Sequence, residues 1–326
     1  MSKAVYSTLG ASTIGIVSYF WGKSSSSGAS DASGSVGGVV GGNNKGNGKE
    51  LVVKSSNTPF DPATVRPQDF FKYGFPGPIH DLQTRSEFVS CYDRATRNPY
   101  WVVEHITKES LQRSEGVDRK KSVFTEDEQI PAKFRARLRD FFRSGFDRGH
   151  NAPAANAKFN QLAMNETFYL TNMSPQVGEG FNRDYWAHFE DFARRLTTKY
   201  DSVRIMTGPL FLPKLCDDGK YRVTYEVIGS PPNVAVPTHF FKLIVGERNG
   251  SDQIATAAFV LPNEVISNDD PLTNYQVPIE ALERASGLEL LQKVQPNKKN
   301  DLCREVKCEI IVREFSKQAT QLIEKA

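Results

Sequence analysis

A chain of 326 residues is long enough for one large domain or two ordinary ones. Hydrophobic residues make up 39% and charged residues 24%, which excludes a fully disordered chain, a collagen-like repeat and a polytopic membrane protein. Four cysteines in so long a chain exclude a small disulfide-stapled domain, and a net charge of only +3 does not by itself indicate a polyanionic partner.

The N-terminal residues differ in composition from the rest of the chain. Residues 1–23 contain an apolar stretch flanked by Lys3 and Lys23, which predicts a membrane anchor or mitochondrial targeting segment. The stretch is close to the ~20 residues of a spanning helix but is diluted by Gly, Ser and Thr, so a mildly apolar terminus is the alternative. Residues 24–55 are predicted to be a flexible Ser/Gly linker, because they offer too little apolar surface to offset their ordering entropy.

The remaining chain is nearly neutral. The first 50 residues carry a net charge of +2, which leaves +1 for the body. Bulk charge is therefore no evidence for nucleic acid binding.

The body, residues 56–290, is predicted to be one domain of class α+β with a largely antiparallel sheet. Runs rich in β-branched and aromatic residues predict strands at 99–107, 202–212, 221–229, 236–246 and 254–262. Helical periodicity predicts helices at 131–143, 184–199, 278–286 and 305–325. Strands come in runs and do not alternate with helices, which favours α+β over a doubly wound fold. Residues 291–326 are predicted to form a C-terminal helical extension.

The most informative segment is 144–194, where several chemically capable residues follow one another. His150 has the side chain best suited to accept a proton near neutral pH, and Arg148 offers a guanidinium that matches phosphate oxygens. Asn182 lies at the start of a predicted helix, where its amide oxygen can ligate a hard cation. Glu190 and Arg194 are four residues apart and are neighbours on that helix.

Each of these residues also has an ordinary structural interpretation. A single His is more often a hydrogen-bonding partner than a base. Asn182 is of the type that caps helices, and Glu190 with Arg194 is compatible with a surface ion pair worth under ~1 kcal/mol. Taken one at a time, these residues do not establish a site.

Together the residues form a recognisable pattern. Its central parts are Asp-Arg-Gly-His at 147–150, Thr-Asn-Met-Ser-Pro-Gln at 171–176, and Phe181-Asn182 followed by Trp186 and Glu190. This pattern resembles the DNA/RNA non-specific endonuclease family, which has a ββα-metal fold. Further similarity to its mitochondrial endonuclease G branch, and to the fungal members of that branch, lies at 92–94, 101–104, 207–213, 236–242 and 279–287.

The resemblance implies a role for each site residue. Asn182 matches the single protein ligand of a Mg²⁺ or Mn²⁺ ion, and His150 matches the general base that activates water. Glu190 would orient water around the ion. Arg148 and Arg194 match catalytic and phosphate-binding positions, and Arg119 aligns with another substrate-binding arginine. Asp147 is expected to hold the turn of the motif and Asn172 to support the metal site indirectly.

The resemblance also implies partners, products and location. The substrates would be single- and double-stranded DNA and RNA, bound through their phosphates and cut to 5′-phosphate and 3′-hydroxyl ends. A homodimer is implied, as is a mitochondrial location at the inner membrane facing the intermembrane space, with possible release to the nucleus. No zinc-finger, helix-turn-helix or RNP pattern predicts base recognition. A nucleic-acid-binding protein with weak or lost catalysis and a hydrolase of small phosphate esters are the rival hypotheses.

Two further features remain open. Residues 133–148 carry a local net charge of +4, which fits either a phosphate-steering rim or a solvated surface. The four cysteines lack zinc-like spacing, and free thiols are expected at Cys303 and Cys308, although a chain that folds back would let these two meet.

Overall fold

Residues 67–75 and 81–312 are described in the computed structural model, and all of them belong to one unit, Pro62–Ala326. The predicted anchor segment and linker lie outside the described residues, as do residues 313–326. The division of the chain into domains therefore stays a prediction. None of the helices among the described residues has the length and apolar character needed to span a bilayer.

The elements follow one another in chain order. The strands are β1 Asp81–Thr84, β2 Phe88–Asp93, β3 Asn98–Ile106, β4 Asp147–His150, β5 Met173–Gln176, β6 Ser202–Leu210, β7 Lys214–Leu215, β8 Tyr221–Arg222, β9 Val227–Ile228, β10 Val234–Ala235, β11 His239–Glu247, β12 Ile254–Pro262, β13 Gln276–Val277 and β14 Lys299–Asp301. The α-helices are α1 Pro67–Phe70, α2 Leu138–Phe141, α3 Gln161–Glu166, α4 Tyr185–Arg195, α5 Ile279–Ser286 and α6 Leu302–Glu305. Short 3₁₀ turns lie at Arg119–Lys121, Ala132–Phe134, Ala154–Asn156, Leu170–Asn172, Leu196–Thr198, Leu272–Tyr275 and Pro296–Lys298.

A twisted eight-stranded sheet forms the centre of the fold. Its strand order is β1-β2-β3-β6-β11-β12-β13, with β14 pairing beside β13 on the same side of β12. All pairs are antiparallel except β12 with β14. The structure thus confirms an α+β fold with a largely antiparallel sheet. Three two-stranded sheets lie outside it, of which β4-β5 carries the Asp-Arg-Gly-His segment.

Helix α4 packs across one face of the sheet through an aromatic core. Trp186, Phe189 and Phe192 are almost fully buried and belong to one cluster with Phe240 on β11 and Phe259 on β12. Rings at three- and four-residue spacing on a helix point to one side, which is why this helix presents them together. Truncating a buried aromatic of this kind costs about 3–5 kcal/mol, so this core fixes α4 on the sheet.

Most of the predicted elements are confirmed. The strands predicted at 99–107, 202–212, 236–246 and 254–262 correspond to β3, β6, β11 and β12, and the helices predicted at 184–199 and 278–286 correspond to α4 and α5. The sequence analysis did not identify β1 and β2, which are short and polar at several positions.

The helix predicted at 131–143 is wrong. The chain makes a 3₁₀ turn, an extended step and the single turn of α2. Ala136 N–H donates to the Tyr92 hydroxyl at 3.1 Å, and Asn233 Nδ2 donates to the Arg135 carbonyl at 2.9 Å. Because these backbone groups are bonded to other parts of the fold, they are not available for a continuous helix.

Three expectations in other regions are also wrong. The strand predicted at 221–229 is only the two short pieces β8 and β9, with exposed residues between them. The helix predicted at 305–325 is absent over 306–312, and its remainder lies outside the described residues. Cys303 and Cys308 are not free thiols but form a disulfide, because the chain leaves α6 at Val306 in an extended conformation and folds back.

Candidate active site

The Asp-Arg-Gly-His segment forms one strand of a hairpin. β4 pairs antiparallel with β5, so that Gly149 faces Ser174 and His150 faces Met173. A Cβ at Gly149 would lie 2.0 Å from Gln176 Oε1, so only glycine lets the Gln176 side chain cover the strand. After the hairpin, a kinked segment at Gly178–Asn182 leads into α4. Two strands and a helix thus form the ββα unit that the sequence pattern predicted.

Two buried asparagines brace the end of β4. Asn172 accepts a hydrogen bond from Ala152 N–H at 2.9 Å and donates to the carbonyls of Ala152 and Thr167. Asn151 donates to the Asn172 carbonyl at 3.1 Å. Asn151 is next to His150 in the chain and Asn172 is next to Met173, which faces His150 across the hairpin, so the pair fixes the backbone that carries the imidazole.

The His150 imidazole lies in an aromatic niche. Its ring is edge-on to Phe168 at 4.9 Å between centroids and tilted against Phe124 at 5.8 Å. Its Nε2 atom is buried and has no hydrogen-bond partner among the described residues. Burial, and then the positive charge of Arg119, hold the pKa of His150 well below its usual range. The imidazole is therefore neutral near pH 7 and able to accept a proton.

Two arginines flank this niche. The Arg119 guanidinium lies 5.6 Å from the Phe168 ring, and the Arg148 guanidinium lies 4.2 Å from the Phe124 ring. The same two rings that hold His150 therefore also hold a cation each. The structure brings Arg119, which lies 31 positions before His150 in the sequence, close enough to affect its titration.

Asn182 does not cap α4. Its Nδ2 donates to Asp147 at 2.9 Å, and the same carboxylate accepts two hydrogen bonds from Arg183 at 2.8 and 2.6 Å. The N-cap position of α4 is Asp184, whose side chain makes no capping bond. Asp147 thereby orients the amide so that the Asn182 Oδ1 is left without a donor among the described residues. The interpretation of Asn182 as a helix cap is thus wrong. Asp147, which was expected to hold the turn of the motif, uses its carboxylate to bind the side chains of Asn182 and Arg183.

Glu190 and Arg194 follow on the same helix, and they are not a solvated surface pair. The Arg194 side chain is only 15% exposed, lies 3.8 Å from Asp191 and donates to Asn156 Oδ1 at 3.3 Å. Burial raises the pKa of the Glu190 carboxyl, and the nearby charges of Lys242, Arg194 and Arg119 oppose that rise. Glu190 and His150 thus share Arg119 as a charged neighbour, which links the helix to the hairpin.

The donor set suits a hard divalent cation. Among residues 67–75 and 81–312, no three His, Cys, Asp or Glu side chains converge as a soft or multi-carboxylate metal site requires. The unpaired amide oxygen of Asn182 is a neutral oxygen ligand of the kind that Mg²⁺ or Mn²⁺ accepts while keeping most of its water. These residues therefore fit a weakly anchored, hydrated ion.

The basic run at 133–148 is not a uniform patch. Arg135 donates to the carbonyls of Ile130 and Glu128, and Arg137 donates to the Ala132 carbonyl, so both brace their own loop. Arg139 and Arg143 are exposed. Both the phosphate-steering rim and the solvated surface therefore remain compatible with this run, with Arg139 and Arg143 as its exposed arginines whose side chains have no backbone bond in the described residues.

A group of buried polar residues beneath α4 was not predicted from the sequence. Glu104, Asn156 and Lys242 are each at most 1% exposed. Two of them could have been found from the sequence, because a charged residue inside an otherwise apolar strand indicates a buried charge. Glu104 follows Trp-Val-Val, and Lys242 follows His-Phe-Phe.

Comparison with known proteins agrees with this geometry. Residues 66–297 match the DNA/RNA non-specific endonuclease family. The chain is 66% identical over 270 residues to the mitochondrial nuclease of Saccharomyces cerevisiae, covering 81% of this chain and 82% of that protein. It is 48% identical over 217 residues to human endonuclease G, mitochondrial, covering 67% of this chain and 71% of that protein.

A solved structure shows the same arrangement. The crystal structure of the EndoG/EndoGI complex matches with a TM-score of 0.69 and 48% sequence identity, covering 71% of this chain and 94% of that one. The ββα unit, the extent of the family match and these identities lead to one conclusion: the chain is an endonuclease and belongs to the DNA/RNA non-specific endonuclease family.

Proposed function

We propose that the chain hydrolyses phosphodiester bonds of both DNA and RNA with the help of Mg²⁺ or Mn²⁺, with His150 as general base and Asn182 as the metal ligand. The observation that carries this proposal is the His150 imidazole, whose buried Nε2 has no partner in the described part of the chain and whose two neighbouring aromatic rings each hold an arginine. A general base must be unprotonated at the working pH, and this environment keeps it so.

The reaction follows from the chemistry of these groups. A water oxygen attacks phosphorus and gives one proton to His150, while the bond from phosphorus to the 3′ oxygen breaks. The leaving oxygen takes a proton from solvent, which gives 5′-phosphate and 3′-hydroxyl ends. When bound at Asn182, a divalent cation stabilises the charge that develops on the phosphate oxygens.

The arginines and Glu190 have supporting roles in this proposal. Arg148 and Arg119 bind the phosphate beside His150, and Arg194 stabilises its developing charge from the helix side. Glu190 orients water around the ion. In this proposal all these groups contact phosphate or water, and none of them contacts a base. The proposed substrates are therefore single- and double-stranded DNA and RNA.

The remaining proposals concern location and assembly. The relatives are named as mitochondrial nucleases, and the apolar N-terminal stretch supports a mitochondrial location for this chain. We infer attachment through residues 1–23 to the inner membrane facing the intermembrane space, with release to the nucleus as a further possibility, and assembly as a homodimer. Fractionation of a tagged full-length chain and size-exclusion chromatography with light scattering test these points.

One experiment tests the central proposal. Purified full-length chain is incubated with supercoiled plasmid DNA and with a long RNA, each with Mg²⁺ and with a chelator. Cleavage of both only with the metal, with product 5′ ends that resist kinase labelling until treated with phosphatase, supports the proposal. Binding without cleavage would favour a nucleic-acid-binding protein. Faster turnover of a simple aryl phosphodiester than of DNA would favour a small-ester hydrolase.

A further inference from the structure

Three buried polar residues beneath α4 are not used by the proposed reaction. Glu104 on β3 is 0% exposed, and Asn156 and Lys242 are each 1% exposed. Burying charged groups is costly unless they are closely paired, so such a group is seldom present without a purpose. Strand alternation directs Glu104 and Lys242 to the sheet face covered by α4.

A continuous path of hydrogen bonds connects this group to the site. Asn156 Nδ2 donates to Glu104 Oε1 at 2.6 Å, and Asn156 Oδ1 accepts from Arg194 Nη1 at 3.3 Å. The amide is thus held at both ends, with its amino group towards the carboxylate and its oxygen towards the guanidinium. Through this single side chain, the central sheet fixes a guanidinium on α4.

Further buried ionisable groups lie beside this path. Glu87 and Glu104 bring two buried carboxyls together, and burial with mutual repulsion raises the pKa of Glu87 well above its usual range. One proton shared between the two leaves a single negative charge. Lys242 donates to Thr207 Oγ1 at 2.7 Å, and its charge acts on both Glu104 and Glu190.

We propose that Glu104 and Asn156 are positioning residues for phosphodiester cleavage: the Glu104–Asn156 hydrogen bond orients the Arg194 guanidinium. This inference rests on the proposed function. It assigns a role to residues that touch neither substrate nor metal. These residues act by setting the direction in which the Arg194 guanidinium points.

The principal test is Asn156→Leu, which keeps the side-chain volume and removes both ends of the bridge. The expected result is a kcat lowered by about 10–100-fold, with KM for plasmid DNA unchanged within about twofold. The matched control is Asn98→Leu. Asn98 is equally buried and bonds two backbone carbonyls at the opposite end of β3, so this variant should lower Tm and leave kcat unchanged. Asn156→Ala provides a second variant if the leucine does not fold.

A double-mutant cycle separates positioning from general damage. If Asn156 acts through Arg194, then adding Asn156→Leu to Arg194→Ala should cause almost no further loss of kcat. Losses that multiply in full would overturn the inference, as would an Asn156→Leu variant with wild-type kcat.

A spectroscopic readout does not depend on turnover. In metal-free protein, the ¹⁵N signal of the Arg194 Nε, assigned by its loss in Arg194→Ala, should shift in Asn156→Leu and stay in place in Asn98→Leu. An unchanged signal would contradict the bridge. Failure of the proposed function would look different, because the wild-type chain itself would then leave DNA and RNA intact.

Discussion

The two faces of the central sheet both bury charged side chains, but they satisfy them to different degrees. On the face away from α4, Glu247 accepts hydrogen bonds from Tyr73 and Ser202 and pairs with Arg204, which also donates to the Asp69 carbonyl at 2.8 Å. Lys242 and Glu247 are five residues apart on β11, so they point to opposite faces.

The face under α4 leaves polar atoms without partners. Among the described residues, the Nε2 of His150 in the adjoining hairpin is buried without a hydrogen-bond partner, and the carboxylate oxygens of Glu87 have no donor beyond the proton shared with Glu104. Native proteins rarely leave such atoms unsatisfied unless they serve a reaction or hold a proton. We therefore expect the Arg204–Glu247 pair to contribute mainly to stability and the polar groups near α4 mainly to the reaction.

The largest expected effect belongs to His150→Ala. Removing the proposed general base should lower cleavage of plasmid DNA by about 10²–10⁴-fold, because the side chains that contact the niche besides His150 are two phenylalanines and two arginines, which cannot accept the proton. Thermal unfolding and oligonucleotide binding in chelator should stay close to the wild type, which shows that the loss is chemical. Retained turnover would remove His150 from the role of base.

Asn182→Ala should cause the second-largest loss of activity. The cation that Asn182 is proposed to hold contributes several kcal/mol of charge stabilisation, so loss of its ligand should lower activity by about 100-fold or more at moderate Mg²⁺. Metal titration by calorimetry should show weaker binding. The control is Arg183→Ala, which removes the other partner of Asp147 and leaves the amide in place. An unchanged Mg²⁺ dependence of Asn182→Ala would exclude it as the ligand.

The opposite face should respond through stability instead of chemistry. Arg204→Met leaves Glu247 with only the half-exposed Lys72 as a counter-charge, so the free energy of unfolding should fall by up to the about 3–5 kcal/mol that an unpaired buried charge costs. Turnover per folded molecule should be unchanged. Urea unfolding and single-turnover cleavage measure the two quantities separately, and a loss of turnover in the folded protein would contradict the division between the faces.

The sequence predicted much of the fold and most of the site, for identifiable reasons. Long apolar strands such as β11 and the amphipathic helix α4 carry their own periodicity, and the Asp-Arg-Gly-His segment is local in sequence. The bonds of Asn233 and Tyr92 that break up 131–143, and the fold-back that joins Cys303 to Cys308, depend on tertiary contacts that no local pattern contains. For the same reason Asn156, an unremarkable residue in a short turn, could not be linked to Arg194.

The smallest expected effect concerns the pH dependence of His150. Cleavage requires the neutral imidazole, so activity falls as pH drops through the His150 pKa, which burial and the Arg119 charge hold well below its usual range. Arg119→Gln removes a positive charge that disfavours the imidazolium, and the pKa of His150 should rise. The acidic limb of the kcat/KM profile, plotted relative to the maximum of each variant, should therefore move to higher pH.

The control is Lys120→Gln, one residue along the same exposed turn, which should leave the limb in place. Since Arg119 also contacts phosphate in the proposed mechanism, its loss should lower the maximum as well. The Arg119 charge also opposes the rise in the Glu190 pKa, so the movement of the limb reports both groups, and both move it to higher pH. A limb that does not move would mean that burial in the aromatic niche alone keeps the base neutral.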